Sequence, residues 1–219
     1  MCGRYELVDG KRVFQRFQVP TAQAALFEDN RDIRPTNRVP TILTDHEPRL
    51  MRWGLIPGWA KDPAIGSKMF NARAETVADK PSFKKALRLQ RCIIPASAFF
   101  EWKGAPGAKV KQRIARTDGE LFGFAGLYDT WKSPEGERIA TCTIITTEPN
   151  EVVAPIHDRM PLILPESAYE LWLDPAVKDP KKLRSLLVPY PADEMEAYPV
   201  GLLVNSPAND VARCIEPVG

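Results

Sequence analysis

The 219-residue sequence has little of what marks a metal centre, a secreted scaffold or a membrane protein. Its four cysteines, Cys2, Cys92, Cys142 and Cys214, lie far apart, with no CxxC pair and only two histidines, His46 and His157, to accompany them. No metal site is therefore expected. No apolar run approaches the roughly 18 to 20 residues that span a bilayer, and the leading residues lack the basic-then-apolar build of a signal peptide. The expected location is cytoplasmic, with the nucleoid in a bacterium or the nucleus in a eukaryote. An excess of one charge is also missing: 30 basic against 28 acidic side chains leave +2. That excludes a histone-like polyelectrolyte, so an anionic partner has to be held by local placement. With no repeat, no low-complexity tract and no Gly/Ser linker, residues 1–219 read as one domain, expected to be monomeric and without a cofactor.

What is present is a proline-rich, 44% apolar chain cut into short elements by 21 prolines. Strand-like runs bounded by turn residues are expected at 39–44, 50–55, 92–95, 99–103, 110–116, 121–128, 139–146 and 162–164. The run from Val110 to Arg116 nearly alternates, as a half-exposed strand does, whereas 121–127 is almost continuously apolar and belongs inside. Helical spacing is short: Val13, Phe14 and Phe17; Phe83, Ala86 and Leu87 after a Ser82 cap; and Tyr169, Trp172 and Leu173 within 166–173. Strands that follow one another without regular intervening helices predict an α+β fold, with a curved, largely antiparallel barrel-like sheet and peripheral helices. Cys92 and Cys142, in apolar stretches, read as small buried hydrophobes.

Cys2 is different. Removal of the initiator Met1 would make it the amino terminus and give it two nucleophiles. An α-amine of pKa about 7.7 to 8.0 has a free-base fraction near neutrality roughly 400 times that of a lysine at about 10.4. The adjacent thiol supplies the second nucleophile. Such a 1,2-aminothiol condenses with an aldehyde to an imine, and the sulfur then closes a five-membered thiazolidine. Gly3 would let a substrate approach the backbone, and the Arg4 guanidinium could grip a phosphate.

Three other segments are dense in reactive groups. Asn71, Arg73 and Glu75 alternate, so an extended backbone would aim an amide, a guanidinium and a carboxylate at one face. Phe99-Phe100-Glu101-Trp102 sets one carboxylate among three aromatics, where lost hydration would raise its pKa into the range useful for proton transfer. His157, beside Asp158 and Arg159 in a turn between apolar stretches, is the natural proton shuttle, while His46 in a polar turn reads as solvated surface.

Cys2-Gly3-Arg4, Trp53-Gly54-Leu55-Ile56-Pro57, Asn71-Ala72-Arg73-Ala74-Glu75-Thr76, Arg91-Cys92-Ile93-Ile94-Pro95, Phe100-Glu101-Trp102 and His157-Asp158-Arg159-Met160-Pro161 together resemble the SOS response-associated peptidase (SRAP) family. The resemblance runs from Cys2 to the Val204-Asn205 segment. It implies a compact α+β fold and covalent capture of abasic sites in single-stranded DNA. In the implied scheme Cys2 forms the thiazolidine and Asn71 orients it. His157 assists opening of the deoxyribose to its aldehyde, and Glu101 serves imine formation and reversal. Arg4 and Arg73, with Arg159 as a third, would contact phosphates, and Pro35, Trp53, Gly54 and Trp102 would form a surface for unstacked bases.

Two segments depart from the family pattern. Asp32-Ile33-Arg34 stands where Asn-Ile-Ala is common, and Ala98 where glycine is frequent. Two rival readings use the same residues. One is a thiol hydrolase, in which the Cys2 amine is the base for its own sulfur and the protein's own amino terminus is the modest substrate. The other is a non-covalent binder of modified DNA, which predicts a reversible, salt-sensitive complex.

Overall fold

The computed structural model describes residues 2–105 and 107–201; Met1, Cys214 and the Val204-Asn205 segment lie outside the described residues. In chain order the strands are β1 (Tyr5–Leu7), β2 (Asn30–Ile33), β3 (Arg38–Ile42), β4 (Pro48–Trp53), β5 (Asn71–Arg73), β6 (Arg91–Ala96), β7 (Ala98–Lys103), β8 (Val110–Arg116), β9 (Phe122–Lys132), β10 (Arg138–Thr147), β11 (Met160–Pro161), β12 (Ile163–Leu164) and β13 (Met195–Pro199). Three short helices accompany them: α1 (Val13–Phe17), α2 (Pro81–Leu89) and α3 (Tyr169–Leu173).

Because β9 pairs with both β6 and β10, the strands β6, β3, β4, β10 and β9 close into a five-stranded barrel. The expected α+β barrel is present. Its pairing is mixed, since β4 and the short β5 each run parallel to β10. Closure leaves the ring without free edges. A second sheet, in the order β13-β8-β7-β1-β2, is antiparallel throughout. Only Ser97 separates β6 from β7, so the chain steps directly from barrel to sheet.

Apolar side chains of both layers form the core. Phe122 and Phe124 on β9, Ile93 and Ile94 on β6, and Cys92 and Cys142 are all buried, as their apolar surroundings predicted. Each large apolar side chain so buried contributes roughly 1.5 to 3 kcal/mol. Arg91 closes the base of this core without an acid. Its guanidinium donates to the carbonyls of Leu87 at 2.8 Å, Trp172 at 2.6 Å and Asp174 at 2.6 Å, tying the ends of α2 and α3 to β6.

Three expectations need correction. Ser82 does not cap α2: the N-cap is Lys80, and Pro81, whose φ is preset for helix, takes the first position. The alternation of β8 does not place its charges outward. Lys111 is 1% exposed while Val110 is 46% exposed, because the Lys111 ammonium is held over the Phe100 ring at 4.1 Å. Finally, β5 ends at Arg73, so Glu75 sits on the following turn rather than on the face of Asn71 and Arg73.

Candidate active site

Strand β1 runs antiparallel to β7 with Tyr5 opposite Phe99, and the Phe100 N–H donates to the Arg4 carbonyl at 2.9 Å. That register carries the leading segment along Glu101, and Cys2 is completely buried there. Burial raises the pKa of its thiol, and the negative charge of Glu101 raises it further. The sulfur is therefore held as a neutral thiol beside an acid.

Alternation along β7 sends Phe100 and Trp102 to the Lys111 side, and Glu101 to the other. Glu101 is buried, and burial, reinforced by the Asp158 carboxylate, moves its pKa up to about 7. His157 Nε2 lies 3.9 Å from Glu101 Oε2. On its other side, His157 Nδ1 accepts the backbone N–H of Arg159 at 3.0 Å. The Asp158 carboxylate oxygen lies 2.9 Å from the same Nδ1, so each ring nitrogen has a carboxyl neighbour. Burial lowers the His157 pKa from its ordinary value, so the ring is mainly neutral at pH 7. A neutral imidazole thus stands beside a carboxyl group that is half protonated at neutrality, a pair suited to moving a proton.

The segment that carries His157 is anchored from the turn after β5 and from β10. Arg159 makes two parallel bonds to Glu75, at 2.7 and 3.0 Å, and a third to the Thr146 carbonyl at 2.6 Å. The same contact lowers the Glu75 pKa, mainly through the Arg159 hydrogen bond. On β5, Asn71 Nδ2 donates to the Phe70 carbonyl at 3.0 Å, which fixes its flip. Its Oδ1 is buried with no hydrogen-bond donor among the described residues. The structure thus brings Cys2, Glu101 and His157 together, with Asn71 on a strand tied to the His157 segment.

The opposite face of β7 carries a cationic layer. Arg4 lies over the Trp102 ring at 5.3 Å, and Asp32 sits 3.2 Å from its Nε. Asp32 also accepts from Arg34 Nε at 2.8 Å. The acid and the added arginine, which stood out as departures in the sequence, are therefore partners. Lys111 lies beneath them, its pKa moved down to about 7 by burial and then by the charge of Arg4.

The family model described as SOS response associated peptidase (SRAP) matches residues 1–207. The chain belongs to this family. It is 48% identical over 222 residues, 99% of each chain, to the protein named abasic site processing protein YoqW of Bacillus subtilis (strain 168). It is 35% identical over 192 residues to abasic site processing protein HMCES of Gallus gallus, spanning 77% of this chain and 56% of that one. A solved structure from Bacteroides thetaiotaomicron superposes with a TM-score of 0.89 at 27% identity over 100% of both chains. One from Bordetella bronchiseptica superposes with a TM-score of 0.78 at 34% identity, covering 92% of this chain and 100% of the other.

The residues expected to form a surface for bases differ in exposure. Trp53 is completely buried in the barrel, its indole N–H donating to the Phe70 carbonyl at 2.8 Å, so it presents no face to a base. Gly54 is structural: its φ is +136°, and a Cβ there would meet the Gly66 carbonyl oxygen at 2.5 Å. Pro35 and Trp102 are half-buried and Arg73 is exposed. The sequence reading passed over Trp59, which is 61% exposed. Its signal was a lone aromatic after Pro57-Gly58, a turn rather than a strand. Glu6 was also missed: it is buried, accepts from Arg113 at 2.7 Å, and has its pKa raised by burial. His46 is half-buried, 3.8 Å from Glu170, not fully solvated as expected. No helix among the described residues is long and apolar enough to cross a membrane.

Proposed function

We propose that this SRAP chain, once Met1 is removed, captures abasic sites in single-stranded DNA through a thiazolidine at Cys2, acting as a monomer in the compartment that holds the DNA. The observation that carries the reading is the buried Glu101 carboxyl, with a pKa of about 7, placed beside the Cys2 thiol and 3.9 Å from His157. The names of relatives that span nearly the whole chain support the lesion class.

His157 would assist opening of the sugar hemiacetal, moving the proton of the ring hydroxyl as the C–O bond breaks to free the aldehyde. The Cys2 amine then adds to the carbonyl carbon. Glu101 in its acid form donates a proton to the carbinolamine hydroxyl, which leaves as water and gives the imine. The sulfur attacks the imine carbon while its proton passes to nitrogen, so the ring closes with one water lost overall. Asn71 Oδ1 is the acceptor available to orient the amine. Arg4 and Arg73 would meet flanking phosphates, Arg159 being held by Glu75 and the Thr146 carbonyl, and Pro35, Trp102 and Trp59 would support splayed bases.

A thiol hydrolase reading needs a thiolate, and both burial and the charge of Glu101 oppose one at Cys2. The amine-first route does not. Intact-protein mass spectrometry under denaturing conditions, after incubation with abasic single-stranded DNA, tests the proposal. The expected adduct has the mass of the Met1-free chain plus the DNA minus one water. It should be absent after acetylation of the Cys2 amine and unstable in Cys2→Ser. A chain that keeps Met1 and links to the lesion equally well would overturn the reading.

A further inference from the structure

On the outer wall of the barrel, a groove of about 560 Å³ is lined by Arg38, Arg52, Arg138, Leu50, Thr36 and, as its one acid, Glu137. We infer that this groove holds the phosphate backbone of the DNA strand outside the capture cleft. The inference rests on the capture reading above and adds a second contact to it.

Arg38 stands directly opposite Arg52 in the β3–β4 pairing. Like charges directly opposite on neighbouring strands destabilise a sheet. Other arginines on the sheets have carboxylate partners: Arg113 has Glu6, and Arg116 has Asp118. Arg38, Arg52 and Arg138 form no salt bridge and no side-chain hydrogen bond among the described residues. Arg52 Nε is buried with no acceptor. Three unpaired guanidiniums on adjacent strands are a stability cost that an external anion would remove.

Their spacing selects the kind of anion. The three side chains come from successive strands β3, β4 and β10 and line one open groove, a row of cations that a chain of phosphates can follow. Leu50 and Ile139 give the groove an apolar floor against which sugars could lie. Thr36 joins the two regions. It belongs to the turn after Arg34, its N–H donates to the Trp53 carbonyl at 2.7 Å, and the same turn begins where Asp32 and Arg34 meet Arg4. A strand leaving the cleft over Pro35 would meet the groove next.

The test compares the wild-type chain with Arg38→Gln/Arg52→Gln/Arg138→Gln on two single strands, about five and about twenty nucleotides long, each with a central abasic site. Capture of the short strand should proceed at the wild-type rate. Binding of an unmodified long strand, followed by fluorescence anisotropy, should weaken roughly tenfold or more at low salt, and the slope of log K against log salt should fall by roughly 2. Unchanged affinity and slope on the long strand overturn the groove, as does an equal loss on both lengths. The melting temperature of the variant should stay level or rise, since a repulsion is removed; a clear fall would assign the arginines to the fold instead. If the wild type forms no covalent link with either strand, the capture reading fails, and anisotropy on the unmodified strand still decides the groove.

Discussion

His157 Nε2 lies 3.9 Å from Glu101 Oε2, while its Nδ1 is fixed by the Arg159 backbone N–H. This relationship gives the two groups separable jobs. Glu101 changes protonation at about pH 7 and His157 below its ordinary range. Between those values the acid form of Glu101 coexists with a neutral imidazole.

The capture rate should therefore peak between about pH 7 and 8, rising below as the Cys2 amine loses its proton and falling on the alkaline side as the Glu101 proton donor is titrated away. In Glu101→Gln the alkaline limb should vanish and the rate should drop roughly a hundredfold or more. Single-turnover capture followed from pH 6 to 9 reads both effects. A variant that keeps the wild-type limb shows that another group controls the rate.

His157→Ala separates ring opening from condensation. With an abasic strand, whose sugar is mostly closed, capture should slow by roughly a hundredfold. With a small aldehyde that has no ring to open, thiazolidine formation at Cys2 should be nearly unaffected. Equal slowing of both would place His157 in the condensation itself.

Glu101 also costs stability, with a definite pH dependence. Its folded-state pKa of about 7 lies above its ordinary value of 4.5. Below pH 4.5 the group is protonated folded and unfolded alike, so stability is undiminished. Between 4.5 and 7 the unfolded chain releases the proton first, and stability declines as pH rises; above 7 the loss is complete. Glu101→Gln should then match the wild type near pH 4 and exceed it at pH 8 by on the order of 3 kcal/mol. Paired urea titrations at the two pH values measure the difference, and no gain at pH 8 would show that the carboxyl is solvated after all.

The residues legible in the sequence were those whose chemistry is unusual for their surroundings. Glu101 among aromatics and His157 in a turn between apolar stretches stand out because a charge or a proton shuttle there has few bland uses. What stayed hidden depended on which side of a wall a residue falls. Trp53 and Trp59 are the same residue type six positions apart, yet closure of the barrel buries one, and a turn exposes the other. Local pattern carries no record of the long-range β4–β10 and β6–β9 pairings that close the ring. Lys111 misled for a related reason: alternation fixes which residues share a face, but not that aromatic rings line the face that takes the lysine. Strands β1, β2, β5 and β13 run only three to five residues, too short for any period to register.

The exchange of roles between the two tryptophans gives a paired prediction. Trp59→Ala should leave the melting temperature nearly unchanged, because the side chain is 61% exposed, and should weaken binding of single-stranded DNA by about 1 to 3 kcal/mol through loss of one stacking contact. Trp53→Phe should do the reverse. It removes the indole N–H that bonds the Phe70 carbonyl and opens space beside Tyr5, whose ring centroid lies 5.3 Å away. An unpaired buried carbonyl and a cavity together should lower stability by roughly 2 to 4 kcal/mol. DNA affinity measured well below the variant's melting point should hold. If Trp53→Phe weakens binding while its melting temperature is intact, the indole reaches the DNA and its burial here is not its working state.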